Sequence, residues 1–391
     1  MIDHLLHYRS EFPILERTTY LISNSLGAMP RGVFESLRNY AEIWSTRGVC
    51  SWEEKWWMMG LEVGNQIGEL MNAPAGSVSL HGNVTQCQAA IASCFEFNTK
   101  RNKVVYSDLE FPSIMYFWEA QRSRGARVQM VPTDDGIHVP TERLLEAIDE
   151  ETLLVPVSHV IFRSSYINDA RAICEKAHRV GAHVILDTFQ SLGSGVAVDV
   201  QELHVDFACG GVLKWLCGGP GTAYLYVRPD LARTLEPKFT GWLAHENPFG
   251  FEIGPIRYTQ GPYRFLNGTP NVAAMYAAVP GLKILREAGM KSVREKSKRQ
   301  TERLVSLADH CGWKVNAPRD PERRGGTVAI EMPRSKEVCE MLLKRGILVD
   351  WRPHVGVRIS PHFYNRDEEL DFAIAAVNEI LESMRVTASS K

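Results

Sequence analysis

The chain has 391 residues, 45% hydrophobic and 23% charged, which is ordinary globular material, long enough for a large domain plus a smaller one and neither disordered nor fibrous. A formal net charge of −2 leaves no electrostatic footprint for nucleic acid, and the most basic stretch, residues 291–303, interleaves Glu295 and Glu302 as a solvated helix face does. No segment reaches the ~18 apolar residues of a membrane helix, the charged start lacks a signal-peptide core, and eight scattered cysteines without a C-x-x-C pair argue against a zinc site or a disulfide framework; a cytoplasmic protein without nucleic-acid or membrane partners is expected.

Residues 1–20 read as an N-terminal segment packing with the smaller domain, and residues 21–270 as the large domain. From about Val78 to Val227, short β-branched runs at 103–106, 127–131, 153–157, 183–186 and 222–227 alternate with amphipathic helical stretches. That alternation predicts an α/β fold with a mainly parallel, doubly wound sheet. Ligands of such sheets bind beyond the carboxyl ends of the strands, so chemistry is to be sought just after each run. Residues 271–391 change in texture: a long helical stretch to 308, punctuated by Pro280 and Gly289, then strand-like segments at 327–331 and within 346–359. They predict a smaller α+β domain entered by a long helix. There is no internal repeat, and only the polar tail, 387–391, is low in complexity.

The strongest chemical signal lies in VILDTFQSLG at 184–193 and VDFACGGVLKWLCGGPG at 205–221. Asp187 ends an apolar strand, and Lys214 follows 27 positions later among glycines. Pyridoxal 5′-phosphate (PLP) needs a lysine amine to bond its aldehyde and a carboxylate to keep its ring nitrogen protonated, and this pair suits both tasks. A capping Asp and a surface Lys are the competing reading, against which stands the cost of an unpaired ammonium among Val212, Leu213, Trp215 and Leu216. At 82–86, GNVTQ precedes a helical run to Phe95, so backbone N–H groups at Asn83, Val84 and Thr85 could cradle a phosphate. Thr85 as a plain N-cap is the alternative.

These segments resemble the class V aminotransferase superfamily of fold-type I PLP enzymes, and within it most of all kynureninase. The resemblance runs through most of the chain: NSLGAMP at 24–30, EFPS at 110–113, the lysine loop ending GGPG at 218–221, GWLAHENPF at 241–249, Gly268 with Thr269, and RISP at 358–361. It implies that Phe111 stacks on the cofactor ring, Asp187 pairs with the ring nitrogen, and Trp242 and Thr269 contact the phosphate, Thr269 across the interface of a homodimer with shared active sites. It further implies that Arg358 grips the α-carboxylate of an amino-acid substrate, with Asn24 nearby. A planar guanidinium suits that task because it meets a carboxylate with two parallel hydrogen bonds.

Four departures from the kynureninase pattern bear on the reaction. Leu213 stands where that family has a proton-handling tyrosine, Ile114 where it has an aspartate, Ile161 where it has an asparagine, and Gln190 where it has a histidine. Gln190 is similar instead to the cysteine desulfurase branch, where this residue hydrogen-bonds the cofactor. Lys214 and Asp187 are thus the expected catalytic residues of a PLP enzyme acting on an α-amino acid by side-chain cleavage, Cβ–Cγ or C–S. Transamination, another lyase reaction, and PLP binding without turnover are the alternatives. The aromatic cluster Trp52, Trp56 and Trp57 suits either a substrate pocket or core and dimer packing.

Overall fold

The computed structural model describes residues 3–389; of the polar tail, the side chains of 387–391 lie outside the described residues. Seven strands, β1 (Val78–His81), β2 (Lys103–Ser107), β3 (Arg127–Val131), β4 (Thr152–Ser158), β5 (His183–Asp187), β6 (Phe207–Gly211) and β7 (Ala223–Val227), form one sheet in the order β1-β7-β6-β5-β4-β2-β3. The pairs from β6 to β3 are parallel, and β7 runs antiparallel to both its neighbours. This is the expected mainly parallel α/β architecture. β4 and β7 are buried along their whole length, which is why they read as short continuous apolar runs rather than as alternating ones. One core, with Val155, Val157 and Leu186, covers one face, and another, with Trp118, Phe207 and Leu225, covers the other.

The long helical stretch is two helices, Val272–Ala288 and Met290–His310, separated at Gly289, whose φ of +76° ends the first. Pro280 lies inside the first helix without ending it. The next residue shows what this helix does for the site: a Cβ on Gly281 would stand 2.3 Å from the carbonyl oxygen of Leu216, so the helix backbone presses directly on the Lys214 loop.

Beyond them, β8 (Lys314–Val315), β9 (Val328–Glu331), β10 (Asp350–Arg352) and β11 (Gly356–Ile359) form an antiparallel sheet in the order β10-β11-β9-β8. The helix Asp367–Ser389 packs Leu370, Ile374 and Val377 onto Val328, Ile330, Val357 and Ile359. The N-terminal residues bridge the two sheets' cores. Thr19–Tyr20 pairs with Ile347–Leu348, Arg9 bonds Glu369, and Asp3 bonds Lys296. Lys296 is thereby buried, unlike Arg299 and Arg303 on the same basic helix, whose side chains stay about half exposed.

Candidate active site

The parallel strands end side by side with Ser158 opposite Asp187 and Asp187 opposite Cys209, and a cavity opens beyond them. Asn83, Val84, Thr85, Phe111, Ser158, Phe162, Asp187, Phe189, Gln190, Leu213 and Lys214 are among its walls. The loop after β6 brings Lys214 in, and the 24–30 segment seats that loop. Gly27 N–H donates to the Leu213 carbonyl at 2.8 Å, and a Cβ there would lie 2.0 Å from the Lys214 carbonyl oxygen. Only glycine permits that approach, which gives the NSLG motif a physical reason.

The Lys214 amine lies 4.3 Å from the centre of the Phe189 ring and 5.5 Å from that of Phe111. Burial pushes it down to about 8; Asp187 opposes that shift, Arg358 adds to it, Asp350 opposes it and Arg352 adds again. Asp187 is buried and accepts the Phe189 N–H at 2.8 Å. Burial raises its carboxyl to about 6, against the pull of that hydrogen bond and of Lys214. Burial thus disfavours its charged form, and a cation placed against it would be held strongly.

Behind Phe111, Glu110 is fully buried and accepts from Ser107 at 2.9 Å and from the Ser158 N–H at 2.8 Å and hydroxyl at 2.5 Å. Burial pushes its carboxyl up to about 7, with the serine bonds opposing. It fixes Ser158 in the cavity wall.

At the other end of the cavity the helix Val84–Ala92 begins. Its N-cap is Asn83, which accepts the Gln86 N–H at 3.0 Å while Gln86 accepts the Gly82 N–H at 2.8 Å. The Asn83 bond corrects the reading of Thr85 as the cap, because the side chain that accepts the first free amide is that of Asn83. The first amides of the helix are left for a ligand, as at an anion site.

Gln190 donates to the Asn24 carbonyl at 3.0 Å and accepts from the Trp215 indole at 2.8 Å, leaving one amide N–H for a cofactor. Asn24 is buried with neither polar atom of its own amide bonded, as a residue awaiting a ligand would be. Arg358 is also buried and reaches the site's edge by donating to the carbonyl of Phe162 at 2.7 Å. Leu213 and Ile114 face the cavity and Ile161 is buried nearby.

Two expected residues are not brought to this cavity by the chain itself. Trp242 packs edge-on against Trp57 and Phe249, and Thr269 lies beside Gly221, Thr222 and Gly268 in neighbouring depressions. Trp56 and Trp57 line a separate apolar cavity with Leu243, Phe249 and Met275, and Trp52 stacks on Trp57 at 4.4 Å. The cluster therefore packs away from Lys214 within one chain. Phe189, Ser158 and Phe162 were missed as individual residues, although the rule that chemistry follows each strand points at 158–162. Asp350, on the strand next to that of Arg358, carried no motif.

The chemistry of the set fits PLP: a buried amine of lowered basicity, a buried carboxylate, an exposed aromatic face on Phe111 and an anion-binding helix start. Comparisons with known proteins agree. The family model described as aminotransferase class-V matches residues 19–372. An uncharacterised aminotransferase of Bacillus subtilis (strain 168), YcbU, is 32% identical over 375 residues, covering 95% of this chain and 97% of that protein. Kynureninase of Bacillus thuringiensis subsp. konkukian (strain 97-27) is 28% identical, covering 97% and 92%. Among solved structures, the apo cysteine desulfurase from Thermococcus onnurineus NA1 superposes with a TM-score of 0.87 at 22% identity, over 98% of this chain and 99% of that one.

Proposed function

Since the chain belongs to the class V aminotransferase family and is a PLP-dependent enzyme, we propose that it cleaves the side chain of an α-amino acid, with Lys214 and Asp187 as its catalytic residues. The observation that carries the reading is the meeting of the Lys214 amine and the Asp187 carboxyl in one cavity beyond the strand ends, where burial lowers the first to about 8 and raises the second to about 6.

When bound, PLP supplies an electron sink that lets the α-hydrogen of an amino acid leave as a proton. The Asp187 carboxylate holds the ring nitrogen's proton, and Phe111 and Phe189 offer ring faces on the cavity walls. Asn83, Val84 and Thr85 would receive the phosphate at the helix start, and Gln190 would give its remaining N–H to the cofactor. Lys214 takes the α-proton. An amine near pH 8 is well matched to that work, because part of it is neutral at physiological pH and its conjugate acid can return the proton. Arg358 and Asn24 hold the α-carboxylate. Trp242 and Thr269 are supplied to the partner's site in a homodimer, a role that accounts for exposed apolar residues on their segment, Phe249, Phe251 and Ile253. The absence of a membrane-crossing helix among the described residues is compatible with a cytoplasmic place.

Within side-chain cleavage, loss of a Cβ leaving group such as a thiol fits better than hydrolysis of a Cβ–Cγ bond. Elimination asks for one proton to be taken from Cα, and Lys214 serves. Hydrolysis also asks for water to be added to a γ-carbonyl, and Leu213 and Ile114 on the cavity wall have no proton to give or take. Among the described residues no cysteine lines the cavity, and in the proposed reaction the sulfur departs with its own substituent.

The test uses 3-chloro-L-alanine, L-cystine and kynurenine with the PLP-loaded enzyme. Pyruvate from the first two and little anthranilate from the third are expected, with all turnover lost in Lys214→Ala. Anthranilate release at a median enzyme rate, ~10 s⁻¹, or pyruvate formation surviving in Lys214→Ala, would contradict the proposal.

A further inference from the structure

Arg358 does not stand free. In the antiparallel pair β10–β11, Asp350 is directly opposite Arg358, so both side chains project from the same face of the small sheet. Asp350 Oδ1 accepts from Arg358 Nε at 2.8 Å and Oδ2 accepts from Nη2 at 2.5 Å, a two-pronged bond along one edge of the guanidinium. Two residues along β10, on that same face, Arg352 bonds the same Oδ2 at 3.0 Å. Arg358 and Asp350 are almost wholly buried, whereas the Arg352 side chain is 44% exposed.

A guanidinium carries five N–H donors. Asp350 uses one on Nε and one on Nη2, and the Phe162 carbonyl uses one on Nη1. What remains is one N–H on Nη1 and one on Nη2, two donors available to a second carboxylate. The charges agree: two arginines and one aspartate sum to +1, which one substrate carboxylate neutralises. Without Arg352, Arg358 and Asp350 would cancel and nothing would draw an anion in; without Asp350, a buried guanidinium would have no fixed orientation.

From this we infer that Asp350 is a positioning residue for the substrate's α-carboxylate and that Arg352 restores the positive charge Asp350 removes, the three side chains acting as one receiver for a single carboxylate. The inference rests on the reading of Arg358 as the residue that holds the substrate. Asp350 stays on Arg358 when substrate binds; it aims the free edge of the fork and is not displaced by the substrate.

The probes are 3-chloro-L-alanine for turnover, L-alanine for binding followed by the cofactor's absorbance, and ethylamine, which is alanine without its carboxylate. In the PLP-loaded enzyme, Asp350→Ala should raise KM for 3-chloro-L-alanine and Kd for L-alanine at least ~10-fold, the loss expected when a buried charged partner is removed. kcat should change less than ~3-fold, because the contact is made equally before and during reaction, and the ethylamine affinity should not change. Asp350→Glu should recover part of the loss. Arg352→Gln should weaken L-alanine by a smaller factor, ~2- to 5-fold, fading at high salt as an exposed charge does. Should Asp350→Ala fail to fold, Asp350→Asn, which keeps one acceptor, is expected to show the same KM-selective loss. Tighter L-alanine binding in Asp350→Asn would show that the aspartate competes with substrate, and an equal loss of ethylamine binding would show a structural role only; either overturns the inference. Arg358→Gln separates the two levels: if it weakens L-alanine while the Asp350 variants do not, only the present inference fails, and if it too has no effect, the reading of Arg358 fails as well.

Discussion

Two cavities of nearly equal size, about 240 Å³ beside Lys214 and about 200 Å³ beside Trp57, differ in everything but volume. The first lies at the carboxyl ends of parallel strands and combines an amine, a carboxylate, amides and aromatic faces. The second is walled by Trp56, Trp57, Leu243, Phe249, Tyr263 and Met275, and beside the Trp56 indole and the Tyr263 hydroxyl it brings together no carboxylate or amine. Size and apolarity alone would not separate a reaction site from a packing surface; convergent groups with shifted acidities do.

The comparison breaks most visibly at Asp187. Asp187→Asn should lower turnover by at least ~10²-fold while leaving PLP bound, checked by steady-state kinetics and absorbance. The same change should stabilise the cofactor-free chain. The folded carboxyl titrates at about 6 and the unfolded one near 3.8, so the folded state binds the proton more tightly and the carboxylate's burial cost is fully present above pH 6. The gain from Asn should therefore be at most about 3 kcal/mol at pH 7, and should shrink as pH falls through 6 toward 4. Denaturant unfolding at pH 7 and pH 4 checks it; a mutant less stable at pH 7 would mean that the carboxylate is held by interactions outweighing its burial.

The second cavity should answer differently. In the proposed homodimer, Trp57→Ala and Phe249→Ala are expected to shift the protein toward monomer in light scattering, with Lys214 still able to bond PLP. Loss of the cofactor bond in a variant that remains dimeric would move this cavity into the reaction site. A smaller effect is expected at the helix start. Asn83→Ala removes the cap of Val84–Ala92 and should cost about 1 kcal/mol of stability, together with a several-fold weaker hold on PLP in equilibrium dialysis.

Most of the sheet was legible because β2, β4, β5 and β7 are almost wholly buried and so stand out as short β-branched runs between helices. β6 was the exception, since FACGG has two glycines where β-branched residues usually mark a strand. Asp187 and Lys214 could be read from sequence because each has a local context, a strand end and a glycine-rich loop. Trp242 and Thr269 could be named but not placed, because a single chain does not bring them to Lys214. Phe189 hid beside Asp187 as an ordinary aromatic, and its closeness to the amine depends on Gly211, where any Cβ would strike its ring at 2.5 Å. Asp350 was invisible for a different reason: its partnership with Arg358 comes from strand register, which no short motif records.

The proposed chemistry requires Lys214 to be the residue that bonds the cofactor. Borohydride reduction of the PLP-loaded enzyme, followed by proteolysis and mass mapping, tests it directly. A single pyridoxyl label on the peptide containing Lys214, absent when Lys214→Ala is treated in the same way, is the predicted result. A label on another lysine, for instance the buried Lys103 or Lys296, or a label that persists in Lys214→Ala, would contradict it.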